Sequence, residues 1–211
     1  MPFDYKKEYK DIYQPPKKPT LIDVPDINYV AVRGQGDPNV EGGAYQNALQ
    51  LLYGISFTIK MSPKSGHELD GYFEYVVPPL EGFWNLPDGA TTLDPTRKAE
   101  LQWISCIRLP EFVTPEILAW AKEEAAAKKG IDFSPAEFLT ITEGPCVQCM
   151  HIGPYDDEPA TIAAMEAFAN KQGFAFDQNE QRLHHEIYLS DPRRTAPERL
   201  KTVIRIPIAP K

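Results

Sequence analysis

The chain has 211 residues, 42% of them hydrophobic and 25% charged, a balance that fits a globular chain of one domain or two small ones. Acidic residues outnumber basic ones 30 to 22, for a net charge of −8, which speaks against an electrostatic grip on nucleic acid or anionic lipid, since both need clustered positive charge. No window reaches the roughly 18 apolar residues of a membrane span, MPFDYKKEYKDIYQPPKKP lacks the apolar stretch of a signal peptide, and three cysteines make no disulfide framework, so a cytoplasmic protein is expected.

Proline, at 21 residues, is about twice as common as usual and predicts short, sharply punctuated elements. Residues 1–19 alternate charge with tyrosine and end in Pro15, Pro16 and Pro19, which predicts an extended, loosely docked arm with little chemistry. From Thr20, LIDVPDINYVAVRGQG reads as strand and stops at Gly34 and Gly36. Ala48, Leu51, Leu52, Ile55 and Ile59 then fall on one helical face despite Gly54. YFEYVVPPLEGFW reads as a strand halted by Pro78 and Pro79, and LQWISCIRLPEF as one halted by Pro110. Thr114 and Pro115 start a helix that Gly130 ends. Beyond it come two short strands broken at Gly144 and Pro145, and then a helix from about residue 159 to 173 carrying Ile162, Met165, Phe168 and Ala169. Two further strands, LHHEIYLSD and LKTVIRIPI, close the chain.

The two halves share an order. VAVRGQGDPN parallels QCMHIGPYDD, YFEYVVPP parallels HHEIYLSDP, and CIRLP parallels VIRIP. This predicts an α+β fold built as a tandem repeat of two β-α-β-β units, with repeat one over about 20–113, a linker helix over about 114–130 and repeat two over about 131–211. A ligand groove is expected on the pseudo-two-fold axis between them.

Glu186 carries the most information. Strand alternation puts His184, Glu186 and Tyr188 on one face and His185, Ile187 and Leu189 on the other, and the apolar face is expected under the helix. The first face then offers a carboxylate between an imidazole and a phenol, suited to attract a cation or to act as general base on water, or else simply solvated. In repeat one Glu74 takes the parallel place, near Tyr72. Phe83, Trp84 and Trp103 are candidates for the flat walls of a ligand site as well as for core. Tyr155 lies in a loop between strand and helix from which its phenol can reach a ligand, whereas Asp156 and Asp157 suit helix capping. Cys146 and Cys149 form a C-x-x-C, but on a strand their sulfurs point to opposite faces, so no metal or redox role is expected. The histidines lack ligand spacing, no phosphate-binding loop or nucleophile elbow appears, and no cofactor is expected.

PPLEGFW, LQWISCIRLPEFVT, HIGPYDDEPAT, HHEIYLSDPRR and LKTVIRIPI, in this order, resemble the GyrI-like small-molecule-binding proteins over nearly the whole chain from Thr20. The resemblance implies tandem β-α-β-β units of the SHS2 type and a groove glutamate, by motif Glu186, that meets cationic aromatic compounds. Stand-alone members include enzymes that hydrolyse DNA-alkylating cyclopropanoid compounds without a metal. By motif the catalytic set is then Glu186, Trp103 and Tyr155, with Glu74, Tyr72, Phe83, Trp84, His184 and Tyr188 as ligand-binding candidates. Where the family's pattern often reads Glu-Gly-Leu-Trp-Trp, the chain has Phe83, Trp84 and Asn85, so one groove aromatic is missing. The expected partner is a small hydrophobic or cationic aromatic ligand. Three readings stand open: detoxifying hydrolase, multidrug-binding or sensing protein, and protein-interaction module like the family's topoisomerase inhibitor. The absence of a helix-turn-helix motif argues against direct DNA regulation.

Overall fold

Strand β9 (Lys201–Pro210) buries seven residues in a row, Thr202 through Ile208, so this part of the sheet is covered on both faces. The computed structural model, which describes residues 1–88 and 95–211, shows what covers it. Among the described residues, nine strands form one antiparallel system: β1 (Thr20–Val24), β2 (Ile27–Gln35), β3 (Leu80–Asn85), β4 (Gln102–Arg108), β5 (Glu137–Ile141), β6 (Gly144–Ile152), β7 (Phe174–Phe176), β8 (His184–Tyr188) and β9. Eight run in the order β1-β6-β9-β8-β3-β4-β2-β5, and β7 pairs with the end of β9. The β3–β8 pair lies in the middle of this order, β1 pairs with β6, and β5 with β2.

Three long helices lie on one face, α3 (Ala44–Lys60), α4 (Pro115–Lys129) and α5 (Glu158–Lys171). The apolar stripe of α3, Ala48, Leu51, Leu52, Ile55 and Ile59, packs with α4 against Val30, Val32 and Ile107. Gly54 is part of this seam, since a Cβ there would stand 2.7 Å from the Phe133 ring. Helix α4 keeps its sequence signals, with Thr114 Oγ1 accepting from the Ile117 N–H and Gly130 in the left-handed region. Helix α5 packs Ile162, Met165 and Ala169 on Val147, Cys149, Ile204 and Ile206. The two helix-covered cores therefore sit over β2–β4 and β6–β9, and the central pair β3–β8 lies between them.

The opposite face is covered by residues 1–19, which corrects the expected extended, loosely docked arm. This segment forms two short helices, α1 (Tyr5–Glu8) and α2 (Lys10–Tyr13), with Tyr5, Ile12 and Tyr13 fully buried. Tyrosines and isoleucines spaced through a polar string provide that apolar contact, which alternation with charge obscures in the sequence. Beneath the arm, the Arg205 guanidinium donates to the Ile12 carbonyl, to Gln148 and to Glu143. His185 links Glu143 and Glu81, and Tyr13 and Tyr29 both donate to Glu81.

The prolines at 78 and 79 precede their strand and do not end it. β3 begins at Leu80, and residues 72–77 leave the sheet, with only an isolated bridge from Tyr75 to Phe3. A proline cannot donate to a sheet ladder, so a Pro pair marks a strand boundary without saying on which side the strand lies.

Candidate functional site

Because β3 and β8 pair in the middle of the sheet, with Gly82 opposite Glu186 and Trp84 opposite His184, alternation sends Glu186, His184, Tyr188 and Trp84 to one face together. That face is the helix side. His185 and Ile187 point instead under the N-terminal arm, which corrects the expectation that this apolar face meets the helix.

Glu186 is buried and held at both oxygens. His184 Nε2 donates to Oε1 at 3.0 Å, and the Tyr188 hydroxyl donates to Oε2 at 2.7 Å. Tyr188 in turn accepts from Trp84 Nε1 at 2.9 Å. Tyr45, from the first turn of α3, stacks on Trp84 and meets Trp103 edge-on, with ring centroids 5.5 and 5.2 Å away. Trp103 lies opposite Trp84 across the strand pair and covers Gly34, where a Cβ would come within 2.3 Å of its ring. From the turn before α5 Tyr155, 37% exposed, meets Tyr188 edge-on at 5.9 Å.

The site has a second carboxylate. Glu158, the first residue of α5, is as buried as Glu186, and its Oε1 has no hydrogen-bond donor among the described residues. Ligand atoms of Glu158, His184 and Glu186 lie within 4.8 Å of one another. Two ionised carboxylates at that distance repel by about 3.5 kcal/mol at an effective dielectric near 20. The pair therefore splits. Burial, then the Glu186 charge, pushes Glu158 well above the ordinary carboxyl range. Burial also raises Glu186, but the hydrogen bond and charge of His184 and the hydrogen bonds from Tyr188 and Glu158 outweigh it and hold Glu186 below its ordinary value. Glu186 is thus the member of the pair that ionises first, and Glu158 the one that holds its proton longer. Tyr155 is pushed up to about 12 by burial and by the Glu186 charge. The spacing of the three groups alone would suit a metal ion, yet Glu186 and His184 Nε2 are already engaged with each other and with Tyr188, and we assign them as a hydrogen-bonded acid cluster.

Of the sequence candidates, Glu186, His184, Tyr188, Trp84, Trp103 and Tyr155 are brought together here. Three are not. Glu74 is exposed in the segment before β3, with its carbonyl accepting from the Phe3 N–H. Tyr72 donates to the Lys60 carbonyl and packs on Phe112. Phe83 alternates to the arm face, where it stacks on His185 at 3.9 Å. Sequence reasoning missed Tyr45 and Glu158. Tyr45 sits at a helix start among polar residues, and Glu158 reads as one more acid of a capping run; Glu158-Pro159 opening a helix was the available signal. The expected split of the C-x-x-C pair holds, with Cys146 packed on the arm side and Cys149 on the α5 side.

The profile of the GyrI-like small molecule binding domain matches residues 17–209. The chain belongs to that family. Among solved structures, this GyrI-like protein is similar to an uncharacterized conserved protein from Listeria innocua, with 46% identity, TM-score 0.92 and 98% and 100% of the two chains covered. It is similar also to a hydrolase from Listeria innocua, with 44% identity, TM-score 0.89 and the same coverage. The C-terminal domain of EcmrR shares the fold at 12% identity and TM-score 0.55, over 92% of this chain and 98% of that one. A search of curated proteins finds no match. Among the described residues, no helix is long and apolar enough to cross a membrane.

Proposed function

We propose that this GyrI-like protein binds flat aromatic small molecules between α3 and α5 and hydrolyses electrophilic cyclopropanoid compounds, with Glu186 as general base. The observation that carries the reading is the buried Glu186, fixed at both oxygens by His184 and Tyr188 within a wall of Trp84, Trp103, Tyr45 and Tyr155. A cyclopropane conjugated to a dienone is a strained electrophile. Water held by Glu186 about 3 Å from the ring carbon attacks it while the carboxylate accepts the water proton; the cyclopropane C–C bond breaks, its electron pair passes into the dienone, and the phenolate so formed takes a proton from solvent to give a phenol. The aromatic rings orient the flat substrate, and tyrosine hydroxyls suit the oxygen on which charge develops. The Listeria hydrolase at 44% identity supports an enzymatic reading. A binding-only role is favoured by the same carboxylate acting as counter-charge to a cation within the rings.

Incubation with a cyclopropanoid alkylator, followed by mass spectrometry, tests the reading. Wild type should form ring-opened product and Glu186→Gln should lose about 10²- to 10⁴-fold in rate, the usual contribution of a general base. Normal turnover by Glu186→Gln removes Glu186 as base, and ligand binding without turnover in wild type leaves the binding role.

A further inference from the structure

Glu158 is a buried titratable group that the hydrolytic step does not use. It faces Glu186, His184 and Tyr188 from β8, and Tyr155 and Asp156 from the turn before α5, where Lys98 is paired with Asp156 at 3.0 Å. Two carboxylates thus share one imidazole. Even a charged His184 balances only one of them, so the empty site is at ease only while one carboxyl keeps its proton. Hydrogen bonding says which. Glu186 is served by His184 Nε2 and the Tyr188 hydroxyl, whereas Glu158 Oε1 has no donor, and an ionised oxygen buried without donors is costly. As a neutral acid, Glu158 can donate to Glu186.

A cation in the aromatic wall changes that balance, since it offers the second carboxylate the positive charge it lacks. We propose that Glu158 is a proton-exchanging ligand residue: it releases one proton when a cationic aromatic ligand enters beside Glu186 and keeps it when the ligand is neutral. This rests on the binding site proposed above. The step balances in charge, with the Glu158 O–H broken, the proton passed to solvent and the carboxylate left paired with the incoming cation. The site then holds neutral and cationic ligands at equal net charge, and cation affinity depends on pH while neutral affinity does not.

The probes are 10-methylacridinium, permanently charged, and acridine at pH 8, where it is neutral. Binding is read by fluorescence, and proton release by calorimetry in two buffers of different ionisation enthalpy. Wild type should release about one proton per methylacridinium and none with acridine, and its methylacridinium Kd should fall about tenfold per pH unit below the Glu158 titration. Glu158→Gln should bind the cation more weakly, with no release and a flat pH dependence. Cation binding without release overturns the proposal, and release that persists in Glu158→Gln overturns it by assigning the proton to His184. Failure of both probes to bind overturns it together with the binding site itself. If Glu158→Gln does not fold, the same proton count on His184→Gln decides: release that persists supports Glu158, and release that is lost overturns the proposal.

Discussion

Tyr188→Phe removes one oxygen that does two things. The Tyr188 hydroxyl accepts from Trp84 Nε1 at 2.9 Å and donates to Glu186 Oε2 at 2.7 Å, and the ring that remains still packs against Tyr155. Without it the buried Trp84 N–H has lost its acceptor, at a cost of about 1–3 kcal/mol, and an ionised carboxylate has lost a bond of about 1.5–3 kcal/mol. The two losses share a site and do not simply add, so a destabilisation of about 2–5 kcal/mol is expected in urea unfolding, with the slope unchanged. The second effect is on titration. A donor to the ionised form lowers the pKa, so its removal raises that of Glu186. The folded pKa of Glu186 lies below its ordinary value, so its stabilising contribution is present above the ordinary carboxyl pKa and lost as pH falls through the folded one. The acid limb of turnover should therefore move up in pH in Tyr188→Phe. A stability change under about 0.5 kcal/mol with an unmoved acid limb would refute the relay from Trp84 through Tyr188 to Glu186.

The arm-side cluster predicts a separate acid transition. Burial raises Glu143, but His185 and Arg205 outweigh it and bring its pKa to about 2 from 4.5, so on the order of 3 kcal/mol of stability is present above pH 4.5 and lost as pH falls toward 2. Glu143→Gln should flatten that part of a stability-against-pH curve, and an unchanged slope would contradict it. His185 is buried, which lowers its pKa, but Glu143 and Glu81 raise it overall, so its contribution is full below its ordinary pKa and fades as pH rises through the folded value. Gly34→Ala places a Cβ 2.3 Å from the Trp103 ring, which must move by about 1 Å to reach ordinary contact. A cost of about 1–3 kcal/mol and an altered tryptophan near-ultraviolet circular dichroism are expected, and an unchanged spectrum would show that Trp103 does not lie over Gly34.

Local signals written in consecutive residues were legible. Spacing gave α3 its buried stripe, Thr114 and Gly130 bounded α4, and alternation put His184, Glu186 and Tyr188 on one face and the two cysteines of the C-x-x-C on opposite faces. These depend on periods of 3.6 and 2, which a chain carries in its own order. Which face of β8 turns toward the helices was not legible, because both faces bury: one under the arm and one between α3 and α5. The same limit misplaced Phe83, one residue from Trp84 and therefore on the other side, and Glu74, whose likeness to Glu186 was a matter of neighbouring letters and not of sheet register. The N-terminal arm and Glu158 needed tertiary structure most. A tyrosine among charges becomes core only when a sheet face needs covering, and a capping-type acid becomes a buried acid only when the start of its helix is set against Glu186. Strand alternation alone settles which groups share a face, because that is covalent geometry, and only the fold sets Glu158 against Glu186, because that brings together acids from distant parts of the chain.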